Sequence, residues 1–267
     1  KDPPVCACIN LPQRELREKI IEKGLKSVKS VLINFATAPG CDKCKPAISY
    51  LLNEILIDDY EENRSARFIN DRVHENIQKD GSFSVIPRVP GGVVTSEELR
   101  RIANVADKYK VPMVKITGGQ RISLLGIRKD QLPFIWSDLG MRSGHAYTKA
   151  VRTCKTCVGN LFCRVGLQDS IGLGIAMESR FQGVSTPAKI KMGVSGCPRN
   201  CAEATIKDIG VVGIQDGWEV YVGGNGGNRV RSADLLVSVK SGDDAIRISG
   251  LFLQYYREAP ILEESQP

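Results

Sequence analysis

The spacing of apolar residues divides the chain into a helical beginning and a mixed remainder. Three early segments have helical spacing, the first opened by Pro12 and closed by Gly24: ELREKIIEK, VKSVLINFA and PAISYLLNEIL. We therefore predict a small helical domain over residues 1–57. The charged and weakly periodic stretch over residues 58–80 predicts a linker or an exposed helix.

Residues 81–140 mix the strand and helix periods. Thr95 and Glu98 have the spacing of a capping box, which predicts that the helix SEELRRIANVADKY begins there. Strand-like runs lie on both sides of it: FSVIPRV, VPMVKI and QRISLLGI. We predict a separate domain over this region.

Residues 141–267 again combine both periods. The pattern predicts a helix in LQDSIGLGIAMESRF, a short helix started by Pro198 and a final helix around AIRISGLFLQYYREA. Strands are predicted in three runs: AKIKMGVSG, DIGVVGI and WEVYVGG. The chain as a whole is predicted to be α+β, because its helices and strands do not alternate as a regular βαβ series.

Composition limits the cellular setting. The 267 residues, 42% of them hydrophobic, suffice for a sizeable core, and no apolar run reaches the length that spans a bilayer. The first residues lack the features of a signal peptide, so we expect a cytoplasmic protein without a membrane partner. Disulfides are uncommon in that compartment, and grouped members of the nine cysteines are therefore predicted to be metal ligands or redox groups.

Charge is uneven along the chain. Residues 1–80 contain 13 basic and 13 acidic side chains, so the whole net charge of +7 lies after residue 80. The basic residues do not form runs, aromatic content is 6% and no nucleic-acid-binding motif is present. This pattern favours a bound polyanion or an anionic substrate, and it argues against a nucleic-acid partner.

The first cysteine set is Cys6, Cys8, Cys41 and Cys44. Cys6 and Cys8 lie on one face if the chain is extended, whereas Cys41 and Cys44 fit a turn that precedes a helix. Four converging thiolates favour an iron–sulfur cluster. Zinc accepts the same donors and stays open, as do a redox pair and buried thiols, although a thioredoxin-like pair requires a βαβ context.

The second set is Cys157-x₅-Cys163 followed by Cys197-x₃-Cys201. A helix started by Pro198 would place Cys201 one turn after Cys197, so that both sulfurs face one centre at the positive end of the helix. Cys154 forms an additional Cys-x-x-Cys with Cys157, which leaves zinc or a dithiol open. The chain has two histidines, His74 and His145, too few for a mixed Cys/His site, and we expect both to be structural or exposed.

Together these motifs resemble the siroheme-dependent nitrite and sulfite reductases, especially the C-terminal part of the large subunits of assimilatory NAD(P)H-nitrite reductases. CVGNLFC and GCPRNC resemble the siroheme and [4Fe–4S] domain of the family, and the region from Pro87 to Ile127 resembles its ferredoxin-like half-domain. The segments CAC and CDKC resemble a bacterioferritin-associated-ferredoxin-like [2Fe–2S] module.

The resemblance implies a role for each candidate residue. A [4Fe–4S] cluster is expected on Cys157, Cys163, Cys197 and Cys201, with Cys201 also reaching the siroheme iron, and a [2Fe–2S] cluster on the first cysteine set. An anion over the iron is expected to be held by four basic residues, of which the lysines also supply protons: Lys189, Lys191, Arg121 and Arg152. Siroheme, which carries eight carboxylates, is expected to contact four further residues: Arg88, Arg164, Arg199 and Asn200.

One departure concerns Gly119, which stands where double-copy relatives have an arginine. Arg121 follows two residues later and would share its face on a regular strand. Cys154 has no counterpart in the motif and is expected to be a spare thiol.

The resemblance implies the six-electron reduction of nitrite to ammonia, with electrons passing from the [2Fe–2S] cluster to the [4Fe–4S] cluster and siroheme. The alternatives are an assimilatory sulfite reductase and a non-catalytic iron–sulfur carrier or zinc-binding module. No strand–GxGxxG–helix fingerprint is present, so we expect electrons from a flavoprotein domain of a longer protein or from a separate reductase or ferredoxin. Lys189 and Lys191 lie on one strand just before Cys201, which leads us to hypothesise a homodimer with shared sites.

Overall fold

The computed structural model describes residues 2–41, 43–56, 59 and 72–259. It separates into two compact units, one from the described part of residues 1–70 with 77–83, the other from the described part of 71–76 and 84–267. The predicted boundary at residues 57 and 58, most of the predicted linker and residues 260–267 lie outside the described residues. The division into four segments stays a prediction.

The first unit is a hairpin followed by three helices. Its elements are β1 (Pro4–Cys6), β2 (Ile9–Pro12), α1 (Gln13–Glu22), α2 (Val28–Phe35) and α3 (Cys44–Leu56). The helices bury one apolar stripe each around a common core that includes Leu16, Val31 and Ile48. The three predicted helices are confirmed. The hairpin was not predicted, and it places Cys8 in a turn rather than in an extended segment.

Residues 76–139 contain a four-stranded sheet in the order β3-β4-β6-β5. Its elements are β3 (Asn76–Ile77), β4 (Phe83–Val85), a 3₁₀ turn (Pro90–Gly92), α4 (Ser96–Lys108), β5 (Met113–Ile116), β6 (Ile122–Ile127), a 3₁₀ turn (Lys129–Gln131) and α5 (Leu132–Leu139). The predicted capping box is confirmed, because the Glu98 N–H donates to Thr95 Oγ1 at 3.1 Å and the Thr95 N–H donates to Glu98 Oε2 at 2.8 Å. Helix α5 was not predicted.

Residues 151–258 form a five-stranded sheet in the order β11-β10-β9-β8-β7 with two long helices. The elements are β7 (Val151–Thr156), α6 (Gly159–Phe162), α7 (Ser170–Phe181), β8 (Ile190–Ser195), a 3₁₀ turn (Ala204–Ile206), β9 (Ile209–Ile214), β10 (Gly217–Val222), β11 (Asp234–Val239) and α8 (Gly242–Glu258). Strands β7, β8 and β9 are parallel, and the remaining pairs are antiparallel. The predicted α+β class is confirmed.

Helices α7 and α8 cover one face of this sheet. Met192 and Val194 of β8 pack into that core with Met177 of α7 and Leu253 of α8. Successive side chains of a strand point to opposite faces, so Lys191 and the other alternate positions of β8 face away from the two helices. Lys191, the predicted site residue on β8, therefore lies on the face opposite its helical layer.

The predicted helix at Pro198 is wrong. Residues 197–203 form turns instead, with Asn200 at φ 54° and Glu203 at φ 57°. Left-handed residues cannot continue a right-handed α-helix, and one 3₁₀ turn follows at Ala204–Ile206. The argument that a helix end polarises the site at Cys197 therefore fails. None of the helices in the described residues is long and apolar enough to cross a bilayer.

Candidate functional site

The first cysteine set forms a compact group of donors. Cys6 ends β1, Cys8 follows in the hairpin turn, Cys41 precedes α3 and Cys44 begins it. The four Sγ atoms all lie within 4.8 Å of one another. Four thiols with this convergence fit a metal centre, and both zinc and an iron–sulfur cluster accept this donor set.

Burial and hydrogen bonds give two of these thiols, Cys41 and Cys44, different pKa values. Burial alone would raise the pKa of Cys41, but hydrogen bonds to the backbone of Cys44 and Lys43 outweigh it and lower the pKa to about 7. Burial raises the pKa of Cys44 to about 12, with a contribution from its hydrogen bond to the Cys41 thiol. The lowered pKa of Cys41 favours the thiolate form that metal binding requires.

The second cysteine set lies on two loops that meet backbone to backbone. Gly196 accepts hydrogen bonds at its carbonyl oxygen from the N–H groups of Leu167, at 2.9 Å, and Gln168, at 3.0 Å. A Cβ at Gly196 would lie 2.8 Å from the Cα of Gly159, so a side chain here would force the loops apart. Glycine at position 196 therefore allows the loop of Cys157 to approach the loop of Cys197.

The surroundings of Cys157 favour its thiolate form. Its Sγ accepts the Gly196 N–H at 3.2 Å and lies 3.2 Å from the Ser170 hydroxyl oxygen. Burial would raise the pKa of Cys157, but the hydrogen bonds from Ser170, Gly196 and Gly159 outweigh it and lower the pKa. Hydrogen-bond donors around a sulfur suit an anionic iron–sulfur ligand.

The other three members of the second set differ in exposure. Cys197 is buried, Cys163 is partly buried and Cys201 is exposed. In the described part of the chain, the first set is the one group of three or more potential ligands whose donor atoms all lie within 4.8 Å. The Sγ atoms of the second set therefore lie farther apart than those of the first. This wider spacing suits a four-iron cluster, which is larger than a single metal ion. Cys154 instead lies in the core under α7, where burial raises its pKa.

Lys191 and three basic residues close enough for their charges to act on it are here called the cationic face: Arg152, Lys189, Lys191 and Lys207. Burial lowers the pKa of Lys191, and the positive charges of Lys189, Arg152 and Lys207 lower it further. Asp208 partly opposes this effect and accepts the backbone N–H of Lys191 at 2.8 Å. Such mutual repulsion creates a positive potential that favours a bound anion.

Lys207 was not identified from the sequence. It forms an ion pair with Glu203 at 2.9 Å, and Glu203 also pairs with Lys155 at 3.0 Å. Lys207 lies after the second cysteine pair in the sequence. The irregular turns of residues 197–206 determine where it lies relative to β8, so its spacing in the sequence could not predict its position.

The predicted arginines occupy different environments. Arg121 is buried and donates from Nη1 to the Gly144 carbonyl oxygen at 2.7 Å. Arg152 is partly buried and donates from Nε to the Thr148 carbonyl oxygen at 3.0 Å, while burial lowers its pKa. Arg88 donates from Nη2 to the Glu178 carbonyl oxygen at 3.3 Å. Their roles stay predictions.

Gly119 and Arg121 were expected to share one face of a regular strand, and this expectation is wrong. Residues 117–121 form a tight turn between β5 and β6, closed by the Thr117 N–H to the Arg121 carbonyl oxygen at 2.8 Å. Gln120 within it has φ 57°. Positions 119 and 121 therefore do not share a strand face.

The remaining predicted siroheme contacts lie on or near the surface. Arg164 and Arg199 are exposed, one on each cysteine loop. Asn200 is partly buried, and its side chain donates from Nδ2 to Thr205 Oγ1 at 2.6 Å and accepts from the Ser195 hydroxyl at 3.3 Å. Asn200 therefore stabilises the turn that follows Cys197, whatever else it contacts.

A buried acid was also missed. Glu178 is completely buried in α7, where it accepts backbone N–H groups from Gly91 at 3.1 Å and Cys154 at 3.0 Å. The sequence contained one signal for it: Glu178 is the single acidic residue in the mostly apolar helix SIGLGIAMESRF.

Sequence profiles of three protein families match successive parts of the chain. The BFD-like [2Fe-2S] binding domain matches residues 4–54, the nitrite/sulfite reductase ferredoxin-like half domain matches residues 76–142, and the nitrite and sulphite reductase 4Fe-4S domain matches residues 147–261. The two iron–sulfur domains that the resemblance implied are thereby confirmed.

Two similar relatives are nitrite reductases. The chain is 54% identical over 256 residues to Nitrite reductase [NAD(P)H] of Bacillus subtilis and 41% identical over 271 residues to the Nitrite reductase (NADH) large subunit of Escherichia coli. These matches cover 95% and 98% of this chain but 32% of each relative. The chain therefore spans about a third of the length of these two relatives.

A shorter relative and a solved structure extend the comparison. The chain is 39% identical over 183 residues to an assimilatory-type sulfite reductase of Nitratidesulfovibrio vulgaris, which covers 68% of this chain and 84% of the relative. The Mycobacterium tuberculosis NirA protein shares the fold, with a TM-score of 0.58 and 20% identity over 80% of this chain and 44% of that one. The chain belongs to the nitrite and sulfite reductase family.

Proposed function

We propose that this chain forms the siroheme and iron–sulfur part of a reductase that converts nitrite to ammonia. The observation that carries the proposal is the contact of the two cysteine loops in the same unit as the cationic face, because thiolate donors for a redox centre and a surface that attracts anions suit this reaction. The identity to two nitrite reductases supports nitrite as the substrate.

The cofactors would be held by separate residues of the two units. The first cysteine set would bind the [2Fe–2S] cluster, and Cys157, Cys163, Cys197 and Cys201 would bind the [4Fe–4S] cluster, with Cys201 also contacting siroheme. The exposed Arg164 and Arg199 suit the carboxylates of siroheme. When bound, siroheme supplies the centre at which the oxyanion accepts electrons.

The protein's own contribution is anion binding and proton supply. The lysines of the cationic face attract and orient a small oxyanion before any charge has moved. The lowered pKa of Lys191 makes its ammonium group a stronger acid than an ordinary lysine, which suits a group that donates protons to a reducing oxyanion.

Sulfite reduction is the second candidate. The observation in its favour is the relative of which the chain covers 84%, an assimilatory-type sulfite reductase. Sulfite and nitrite are both small oxyanions and suit the same cationic face. We favour nitrite because the identity to the nitrite reductases extends over 95% or more of the chain.

Steady-state assays of the purified, cofactor-loaded chain with nitrite and sulfite and a chemical reductant test the proposal. Faster reduction of nitrite supports it, whereas faster reduction of sulfite replaces it with the second candidate. The visible spectrum provides the control, since siroheme gives Soret and long-wavelength bands. A carrier would show only a broad iron–sulfur shoulder, and a zinc protein would show neither.

The electron donor, the location and the assembly belong to the same proposal. Electrons would come from a flavoprotein domain or from a separate reductase or ferredoxin, and the reduced cysteines suit a cytoplasmic protein. We place a homodimer contact at β5, an outer strand whose four residues are all exposed, three of them apolar. An exposed apolar edge of this kind is rarely left uncovered.

The register of this contact can be specified. A two-fold axis at Val114 would pair Val114 with its copy and Met113 with Lys115 of the other chain, whereas an axis at Lys115 would oppose two ammonium groups. Val114→Lys should therefore convert a dimer to a monomer in sedimentation, and a dimer that survives the substitution would place the contact elsewhere. Leu251→Lys, on an exposed apolar position of α8, is the control and should leave the dimer intact.

A further inference from the structure

Two buried charged side chains, Arg121 and Glu178, and the partly buried Arg88 lie together between the half-domain and the sheet that follows it. Glu178 is completely buried, its Oε2 accepts two backbone N–H groups, and its carbonyl oxygen accepts Arg88 Nη2. Burial raises the pKa of Glu178, and the charges of Arg88 and Arg121 oppose that rise. Arg88, Arg121 and Glu178 are called the buried trio below.

Each member of the buried trio has one polar atom without a protein partner. In the described residues, four buried side-chain atoms lack a hydrogen bond, and three of them are Arg88 Nε, Arg121 Nε and Glu178 Oε1. Unpaired charged groups in the interior are costly, and ordered water commonly satisfies them. Two donors and one acceptor match the hydrogen-bonding capacity of water, which both accepts and donates.

The buried trio borders a cavity on one side. Arg88 and Gln182 line a polar cavity of about 520 Å³, together with Arg142, Trp136 and both histidines of the chain. The Gln182 N–H donates to the Glu178 carbonyl oxygen at 2.9 Å. A cavity with this lining admits water up to the residues that contact Glu178.

Arg152 and Gln182 relate the buried trio to the cationic face. The charge of Arg152 acts on Arg121, and it also acts on Lys191. Gln182 connects the two sides, because its side-chain amide donates to the Arg152 carbonyl oxygen at 3.5 Å. Gln182 therefore contacts Glu178 through its backbone and Arg152, a member of the cationic face, through its side chain.

We propose that the buried trio encloses an internal water site that passes protons from the polar cavity to the cationic face. The relay rests on the proposed function, since reduction of nitrite to ammonium consumes six electrons and eight protons and releases two waters. In each transfer, the Glu178 carboxyl gives a proton to water on the side of the cationic face and regains one from water on the cavity side. No electron moves, and the carboxyl returns to its starting state.

The surroundings of Glu178 suit this exchange. The charged groups that act on it are Arg88 and Arg121, and the facing thiol of Cys154 is neutral because burial raises its pKa. Burial favours the protonated carboxyl, whereas the backbone N–H groups of Cys154 and Gly91 and, to a smaller extent, the two arginines favour the carboxylate. A buried carboxyl under such opposing influences suits a proton carrier.

Glu178→Gln tests the relay, because the amide keeps the shape and an acceptor oxygen but cannot release an acid proton. In the cofactor-loaded chain with a chemical reductant, we expect unchanged iron and siroheme content and a turnover number reduced about 10²-fold. The solvent deuterium isotope effect should increase, and KM for nitrite should change much less than turnover. Glu97→Gln, on the exposed face of α4, is the matched control and should keep all these values.

Two measurements on the unsubstituted chain are independent of turnover and of the variant's folding. A crystal structure should show water bonded to Glu178 Oε1 and to at least one arginine Nε, and infrared spectra should show a buried carboxyl band that shifts in D₂O. The proposal is overturned if the crystal structure shows no water at these atoms, or if the carboxyl band is absent at every pH. A Gln variant with full turnover and an unchanged isotope effect also overturns it. If the unsubstituted chain reduces neither anion, the proposed function fails while these two measurements still report on the water site.

Discussion

The two cysteine sets of this chain differ in how far the protein alone organises them. The first set brings four Sγ atoms within 4.8 Å through a hairpin turn and the start of a helix. The second set depends on two loops in contact at glycines, and its members range from buried to exposed. The fold of the first unit brings its four donors together without a cofactor, whereas we expect the cofactor to complete the more open second set.

The two sets also differ in charge. Residues 1–80 are neutral overall, and the positive charge of the chain lies in the part that carries the second set. This difference fits the proposed roles, in which the first set relays electrons and the second belongs to a site that must also attract an anionic substrate and an anionic macrocycle. The predictions below test this contrast, from the largest expected effect to the smallest.

The largest effect is expected from Cys201→Ser. If this exposed thiol links the [4Fe–4S] cluster to siroheme, reduction of nitrite should fall to background and the magnetic coupling of the two centres should disappear. Activity assays and electron paramagnetic resonance measure both changes. Cys154→Ser is the control and should retain both centres, because Cys154 lies in the core. Full activity of the Cys201 variant would remove the assigned bridge.

Deleting residues 1–57 should separate the two cysteine sets functionally. Because the first set is predicted only to relay electrons, activity with the physiological donor should be lost while activity with a small chemical reductant remains. The ratio of the two activities is the measurement. Equal loss of both would make the first unit structural, and zinc in place of iron and sulfide after anaerobic purification would exclude its cluster.

Lys191→Met should lower kcat/KM for nitrite by about 10²-fold, because it removes a positive charge placed at the anion site before the substrate arrives. The visible spectrum should stay close to normal. Lys240→Met, at an exposed position after β11, provides the control and should have little effect. A spectrum lost together with activity would make Lys191 a siroheme-binding residue instead.

Gly196→Ala should weaken the second cysteine set without affecting the first. The new Cβ would lie 2.8 Å from Gly159 Cα, and such overpacking typically costs about 1–3 kcal/mol. Thermal unfolding and the iron content of each cluster are the measurements. Gly118→Ala is the matched control, since nothing lies within 4 Å of its Cβ position. Equal stability of the two variants would contradict the proposed loop contact.

The smallest effect concerns pH. The lowered pKa of Lys191 means that its ammonium charge is present at low pH and is lost, as pH rises, earlier than for an ordinary lysine. KM for nitrite should therefore increase as pH rises through that lowered value. Lys191→Arg should shift the increase to higher pH, because a guanidinium keeps its charge. Identical pH profiles would assign the titration to another group.

Local sequence signals predicted most helices correctly. The capping box of Thr95 and Glu98 and the apolar periods of α1, α7 and α8 were sufficient, because capping and amphipathic spacing act within a few residues. Strands were predicted less well. β7 overlaps a cysteine motif and was not recognised as a strand. β11 was also missed, because it follows a glycine-rich loop and the first three residues of the strand are all exposed.

The cysteine spacing by itself determined which thiols are candidate ligands, and the motifs determined the family. Only the tertiary structure decided that residues 197–203 turn rather than continue as a helix, and that Arg121 follows a tight turn and becomes buried. Only the fold brought Glu178 within reach of the charges of two arginines from distant parts of the sequence. The physical reason is that motif spacing reflects local geometry, whereas burial and charge pairing depend on which distant segments pack together.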